Sequence, residues 1–197
     1  MALASRLYWV WQAVRLRITR PRAVQRVRPL FDSEYYRTQY PDVAAAGVDP
    51  LTHFFVSGAR EARNPHPLFD TAYYLESNRE VAASGVNPLV HFLTDGVRQG
   101  LRPNPLFDSA YYLEHNPAAA ASGVNPLVHF QIHGARQGSK PNPLFDPAYY
   151  LRQYPEVAES GVNPLVHFLT QGAREGRKPT PLFDTAYYLA QNPDLPR

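Results

Sequence analysis

The hydrophobic and polar positions of this chain recur with a period of 38 residues. Each copy opens with the string Pro-Leu-Phe-Asp, and a Tyr-Tyr pair follows it. The aspartates of the five strings are Asp32, Asp70, Asp108, Asp146 and Asp184. A fixed period without insertions is typical of repeat proteins, in which each unit buries its apolar face only against its neighbours.

One copy, residues 67–104, predicts two short helices in its first half. Asp70 is a good N-cap, because its carboxylate can accept the exposed amides of the following turn. The first helix is therefore expected over residues 71–77. A second is expected over residues 80–84, and Gly85 should end it in a left-handed C-cap.

A third helix is expected in the second half of each copy. Asn87 is an N-cap, Pro88 takes the first helical position, and the helix should reach about residue 99. A glycine recurs on one face of this helix and indicates close helix-to-helix approach. These glycines are Gly58, Gly96, Gly134 and Gly172.

These elements predict an all-α fold, an α-solenoid of short helical repeats. No strand signal accompanies them. We divide the chain into a basic N-terminal helix and linker, residues 1–28, and a repeat region, residues 29–197. The repeat region holds four complete copies and a partial fifth, which reads as a C-terminal cap or as a copy cut short.

The unit resembles the bacterial 38-residue tandem repeats of the form F-D-x-x-Y-Y-L-x-x-N-P-D-V-A-x-x-G-x-N-P-L-x-H-F-L-x-x-G-x-x-E-G-R. Such repeats accompany glycosyltransferases and large secreted or surface proteins. The resemblance covers residues 29–197 and implies a bacterial origin and a non-catalytic accessory module. Some copies depart from the pattern: Arg37 stands at a leucine position and Arg79 at a proline position.

The N-terminal arm carries most of the positive charge. Residues 1–28 hold seven arginines and no acid, which leaves 13 basic and 17 acidic residues in the remainder. The arm is predicted to form an amphipathic helix with an apolar face and interfacial aromatic residues. The residues expected to anchor it are Leu3, Leu7, Tyr8, Trp9, Val10, Trp11, Val14, Arg15, Arg17, Ile18 and Arg20.

Three interpretations of this arm stay open. It could lie in the plane of a membrane or dock on an integral membrane complex, which the Trp, Tyr and Arg content favours. It could instead cap the first repeat, since repeat arrays need capped ends, or serve as a targeting peptide. Its uncharged window, residues 7–14, is far shorter than the ~20 residues that span a bilayer.

A histidine recurs in every complete copy, at His53, His91, His129 and His167. Stacked helical layers lie ~8–10 Å apart, whereas zinc ligands lie about 2 Å from the ion. Adjacent copies therefore cannot share a metal ion through this histidine. We expect it to be structural, hydrogen-bonded to a backbone carbonyl or a tyrosine hydroxyl between layers.

Two further ladders are candidates for binding on the repeat face. Tyr36, Tyr74, Tyr112 and Tyr150 could form an aromatic row for sugars or a protein partner, or pack in the core. Arg60, Arg98, Arg136 and Arg174 could form a positive stripe for anionic groups. Alternatively, these arginines pair with the aspartate at the start of an adjacent copy.

We predict no catalytic, cofactor-binding or metal residues. The chain has no cysteine, and no catalytic motif stands outside the repeat. The first hypothesis is a non-enzymatic scaffold or accessory subunit on the cytoplasmic face of a membrane, peripherally attached through its N-terminal helix, with a protein partner on the repeat face and no nucleic acid. The alternative is a glycan-binding module associated with polysaccharide synthesis; an enzyme is disfavoured.

Overall fold

The computed structural model describes residues 8, 9, 11, 12, 15 and 21–194. This part of the chain is all-α, contains no β-strand, and repeats one set of short helices in every copy. The helical-repeat class predicted from the 38-residue period is confirmed. Contacts group the chain into two compact units, Met1–Gln99 and Gly100–Arg197.

The segment predicted as a basic linker after residue 20 is instead helical. Helix α1 runs Pro21–Val27, and a 3-10 turn, Arg28–Leu30, joins it to the first copy. Pro21 supplies a favourable first helical position. Val24, Val27 and Leu30 are buried, so the apolar spacing of this segment decides its structure in spite of its arginines.

The first helix of each copy begins where its aspartate cap predicts. The five first helices are α2 Ser33–Gln39, α5 Thr71–Ser77, α8 Ser109–His115, α11 Pro147–Gln153 and α14 Thr185–Gln191. In each, the aspartate carboxylate accepts a backbone N–H three residues later, at 2.8–3.0 Å. This satisfies an amide that the helix itself leaves unpaired.

The second helices begin without a side-chain cap, whereas the third helices follow a capping aspartate or asparagine. The second helices are α3 Pro41–Ala45, α6 Arg79–Ser84, α9 Pro117–Ser122 and α12 Pro155–Ser160. The third helices are α4 Pro50–His53, α7 Pro88–His91, α10 Pro126–His129 and α13 Pro164–His167. Gly85 ends α6 at φ +67°, a conformation that costs glycine little.

Each third helix continues directly into a π-helical turn that ends at the recurring glycine. These turns are Phe54–Gly58, Phe92–Gly96, Phe130–Gly134 and Phe168–Gly172. The predicted helix to about residue 99 is therefore α-helical only over its first turn. Wider π turns often occur at functional or tightly packed positions, and here the turn carries the central aromatic residue of the copy.

The core of a copy is a cluster of three aromatic rings. In the fourth copy, Phe145 lies 5.5 Å from Phe168, and Tyr150 meets Phe168 edge to face at 5.9 Å. Phe145 and Tyr150 are fully buried, and Phe168 is nearly so. Burying one such ring contributes roughly 2 to 3 kcal/mol, so each copy depends on the contact between the start of its first helix and its π-helical turn.

A backbone bond couples successive copies within each unit. In the first unit, the Asp32 N–H donates to the Pro65 carbonyl at 2.9 Å. In the second, Asp108 and Asp146 donate in the same way to Pro141 and Pro179, at 3.1 and 3.0 Å. The start of one copy is therefore bonded to the segment that enters the next.

The segments that cross into the second and third copies are each closed by a side-chain hydrogen bond. The Thr71 hydroxyl donates to the Arg63 carbonyl at 2.8 Å, and the Ser109 hydroxyl donates to the Leu101 carbonyl at 3.0 Å. Both bonds span eight residues. They hold the proline-rich crossing in one conformation between the third helix and the next capping aspartate.

Candidate interaction surfaces

The described residues of the N-terminal arm are helical and lie against the first copy. The Trp9 ring stacks on His53, with ring centres 5.5 Å apart and planes 29° apart. The Tyr8 and Trp11 side chains are 49% and 57% exposed. Arg15 places its guanidinium over the Trp11 ring at 5.3 Å. The helix thus contacts the repeats through Trp9 and presents two aromatic residues outward.

The remaining predicted anchor residues lie outside the described part of the chain. They are Leu3, Leu7, Val10, Val14, Arg17, Ile18 and Arg20. The stacking of Trp9 on His53 is the type of contact expected from the capping interpretation. The exposure of Trp11 is the property expected from the membrane interpretation. The two interpretations are compatible, because Trp9 contacts the first copy while Trp11 is exposed to solvent.

A cleft of about 660 Å³ lies between the arm and the first two copies, within the first unit. Gln12 and Arg15 line it from the arm, and Arg60 lines it from the first copy. Its floor is apolar and comes from both copies, with Phe55, Val56, Leu75, Val86 and Pro88. Arg60, one of the predicted binding arginines, therefore borders this cleft.

The tyrosines predicted to line a binding face are instead the buried members of their pairs. Tyr36, Tyr74, Tyr112 and Tyr150 are 0% exposed. Each hydroxyl is hydrogen-bonded to Nδ1 of the histidine 17 residues later, at 3.0, 2.8, 2.8 and 2.9 Å. The prediction that these four could form an exposed aromatic row is wrong, because the row points into the core.

The recurring histidine has the structural role expected of it, with a tyrosine hydroxyl as partner. The bond lies within a copy and not between layers. Burial raises the pKa of Tyr150, which keeps its hydroxyl protonated, and burial lowers the pKa of His167, which keeps its imidazole neutral. The hydroxyl can therefore donate to an unprotonated Nδ1.

The recurring glycine serves the same contact. A Cβ at Gly172 would clash with the Tyr150 hydroxyl oxygen, and Gly58, Gly96 and Gly134 face their own tyrosines in the same way. The close approach predicted at these glycines is thus made by a side chain and not by a second helix. Tyr, His and Gly form one unit, which we call the Tyr-His-Gly lock.

The first tyrosine of each pair is the more accessible one. Tyr35, Tyr73, Tyr111 and Tyr149 are half-buried. Burial raises the pKa of Tyr35 to about 12, so even this tyrosine is well packed. A sugar-binding row would need these residues and not the four that the sequence singled out.

The arginine ladder is exposed in all four copies but does not pair with the capping aspartates. Arg60, Arg98, Arg136 and Arg174 are all exposed, and Arg98 pairs with Asp95 on its own helix turn. The capping aspartates pair with a different basic row. Its pairs are Arg102–Asp108, Lys140–Asp146 and Lys178–Asp184. The predicted pairing of Arg98-type residues with these aspartates is therefore wrong.

Two arginines that sequence reasoning missed form charge clusters in the first and fourth copies. Arg177 pairs with Glu156 and with Glu175, and lies 4.7 Å over the Tyr154 ring. Arg63 repeats this arrangement with Asp42, Glu61 and Tyr40. The sequence contains a signal for this arrangement, because the first and fourth copies have a tyrosine where the second and third have Asn78 and Asn116.

The partial fifth copy exposes the aromatic residues that the other copies bury. Phe183 and Tyr188 are 41% and 45% exposed, whereas Phe145 and Tyr150 are 0% exposed. Leu182 and Tyr187 are also open to solvent, at 95% and 67%. This apolar face, which we call the fifth-copy face, is the most exposed aromatic surface of the second unit's described residues.

No protein-family model, curated protein or solved structure matches this chain. The resemblance to the bacterial repeats therefore rests on the residues quoted for it and stays a prediction. Among the described residues, no helix has both the length and the apolar character needed to cross a bilayer. The arm is the surface on which the functional proposal is built.

Proposed function

We propose that this protein is a non-enzymatic scaffold or accessory subunit, held at the cytoplasmic face of a membrane or on an integral membrane complex by its N-terminal helix. The repeats would bind a protein partner. The observation that carries the proposal is the outward exposure of Tyr8 and Trp11 beside Arg15. Tryptophan and tyrosine favour the membrane interface, and arginine attracts anionic headgroups.

The contact of Trp9 with His53 adds an orientation to this attachment. A free amphipathic helix would leave the repeats tethered without a fixed direction. Here Trp9 docks the helix on the first copy while Trp11 faces away from it. The attached protein would then present its repeats at one angle to the membrane, which suits a scaffold.

The structure lacks the exposed tyrosine row that would have favoured the glycan-binding alternative. An exposed row made of Tyr36, Tyr74, Tyr112 and Tyr150 would have stacked on sugar rings, but these side chains are buried. Protein binding needs no such row. We therefore place the protein-binding scaffold first.

A partition experiment tests the membrane part of the proposal. Full-length protein and a Trp11→Ala variant are mixed with vesicles of phosphatidylcholine and phosphatidylglycerol and sedimented. We expect the full-length chain to pellet and Trp11→Ala to bind roughly tenfold less, because ~1.4 kcal/mol of interfacial burial corresponds to a factor of ten. Ile132→Ala, which removes an exposed apolar side chain of the second unit, is the matched control and should bind normally.

A second part of the experiment distinguishes binding to lipid from binding to a membrane protein. The same proteins are mixed with membranes of the native host before and after protease treatment. Binding to intact membranes but not to vesicles or treated membranes would identify a protein receptor. A deletion should remove residues 2–20 only, because Val24 and Val27 are buried. If the full-length chain stays in the supernatant in every mixture, the proposal fails.

A further inference from the structure

The cleft between the arm and the first two copies combines two arginines with an apolar floor. Its volume is about 660 Å³, within the ~300–1,000 Å³ that small-molecule sites usually occupy. Arg15 enters it from the arm and Arg60 from the first copy, and its described lining includes no acidic residue. Two guanidinium groups without a neighbouring carboxylate in the lining favour an anionic ligand.

The Arg60 guanidinium lacks the acidic partner that its counterpart in the second copy has. Arg98 pairs with Asp95, three residues before it, but the corresponding residue of the first copy is Ser57. Glu61, the acid that follows Arg60 in the sequence, pairs with a different arginine. Because Arg60 is also exposed, its donors are accessible to a ligand in the cleft.

The floor of the cleft leaves apolar surface uncovered. Phe55, Val56 and Leu75 are half-buried, and Val86 is 46% exposed. The Phe55 ring packs edge to face on the buried Phe54 ring, with centres 6.3 Å apart, which holds it in place. Covering such surface contributes about 25 cal/mol per Å², so a ligand with an apolar part gains more here than a free anion does.

The arm relates this cleft to the membrane contact proposed above. The Arg15 guanidinium that lines the cleft also lies over the Trp11 ring, 5.3 Å from its centre. Trp11 is the exposed aromatic residue expected at the membrane interface. One side of the cleft is therefore built from the same helix that would touch the lipid surface, which favours a ligand that comes from that surface.

We propose that this cleft binds one molecule of an anionic lipid. Its phosphate or carboxylate head group would accept hydrogen bonds from Arg15 and Arg60, and its acyl chain would cover Phe55, Leu75 and Val86. The inference rests on the proposed function, because the membrane to which the arm attaches would supply the lipid. A bound lipid would contact the arm and both copies, and would therefore stabilise the docked position of the arm.

The test is a titration of full-length protein with decyl phosphate below its micelle concentration, followed by calorimetry. We expect saturable binding of one molecule per chain. Inorganic phosphate, which has only the head group, and decyl maltoside, which has the same chain on an uncharged head, should each bind at least tenfold more weakly. In isotope-labelled protein, the side-chain resonances that decyl phosphate shifts should include those of Leu75 and Val86.

Two variants, each with a matched control from the repeat, locate the binding in the cleft. Arg60→Gln should weaken decyl phosphate binding roughly tenfold, because a hydrogen bond to a charged group is lost. Arg136→Gln, at the same position of the third copy, should bind normally. Val86→Asp places a negative charge on the floor and should weaken binding at least tenfold, whereas Val162→Asp, on a side chain that is 43% exposed, should not.

The results separate this inference from membrane attachment. Absence of decyl phosphate binding would overturn it, as would binding that Arg60→Gln and Val86→Asp leave unchanged. Equal binding of decyl maltoside or of inorganic phosphate would also overturn it, since either would mean that head and chain are not recognised together. A chain that pellets with vesicles but does not bind decyl phosphate keeps the attachment and loses the lipid site. A chain that binds decyl phosphate but pellets with no membrane keeps the site and loses the attachment.

Discussion

Replacing His66 should remove an acid sensitivity from the first unit. His66 lies directly before the second copy and is 5% exposed, and its Nδ1 accepts the Leu68 N–H at 3.0 Å. The equivalent residues are asparagines in the next two copies. Asn104 and Asn142 accept the same backbone N–H through Oδ1, at 2.8 and 2.5 Å. His66→Asn therefore keeps the hydrogen bond and removes only the titrating group.

The magnitude follows from the pKa of the imidazole. Burial lowers the pKa of His66 from its ordinary value of 6.5 to about 4, and the nearby Asp32 charge offsets this shift only in part. The folded protein therefore binds this proton less readily than the unfolded chain. Stability is complete above pH 6.5 and falls as the pH drops towards 4. Between pH 7 and pH 4.5 the loss is about 2.5 kcal/mol from this residue alone.

Urea unfolding followed by tryptophan fluorescence measures this loss, because Trp9 and Trp11 both belong to the first unit. The free energy of unfolding of the wild-type chain should fall by about 2.5 kcal/mol more than that of His66→Asn over this pH range. The other histidines are common to both proteins, so their contributions cancel in the comparison.

The reverse substitution is a second check. Asn142→His places an imidazole at the matching buried position of the second unit, where circular dichroism can follow unfolding. This variant should gain the acid sensitivity that His66→Asn loses. If the pH dependence of His66→Asn runs parallel to that of the wild-type chain, His66 is not held neutral by burial and the reasoning is refuted.

The Tyr-His-Gly lock and the arginine clusters lead to two further predictions, both measured by denaturation of the second unit. Gly172→Ala should cost roughly 2 to 3 kcal/mol, because the new methyl group meets the Tyr150 hydroxyl; adding Tyr150→Phe should recover part of this loss, and additive effects would contradict the contact. Arg177→Leu, which copies the leucine at position 101, should cost roughly 1 kcal/mol, and less at high salt. The control Arg174→Leu, on an exposed arginine, should be nearly neutral, and an equal cost for both would mean that the Arg177 cluster adds no stability.

Local chemistry explains why the helix positions were predictable from the sequence. Asp70, Gly85 and Asn87 act through their own side chain or backbone on the next few residues, so their positions fix the helix ends. Because these residues recur every 38 residues, the same helix ends are predicted in every copy. The segment from Pro21 was predicted as a linker because of its arginines. The spacing of Val24 and Val27, which places both on one buried helix face, was the better guide to its structure.

The candidate surfaces were harder to predict because they depend on how helices pack. Adjacent residues of a helix point about 100° apart, so one tyrosine of each pair had to face inward. Which one it was depended on Gly96 and His91, which lie about 20 residues away in sequence. Likewise, Arg102 and not Arg98 reaches Asp108, because the crossing segment places Arg102 six residues before that aspartate.

The closed crossing segments bear on how this protein can change over evolutionary time. The Thr71 and Ser109 hydroxyls fix two crossings at eight residues, and a backbone bond joins Asp32, Asp108 and Asp146 each to a proline 33 residues later. Inserting or deleting a single codon in a crossing would break the connection that this crossing makes. Gain or loss of a whole 38-residue block by unequal recombination would break neither. Related genes should therefore differ in length by multiples of 114 nucleotides within the repeat region, and only rarely by other amounts.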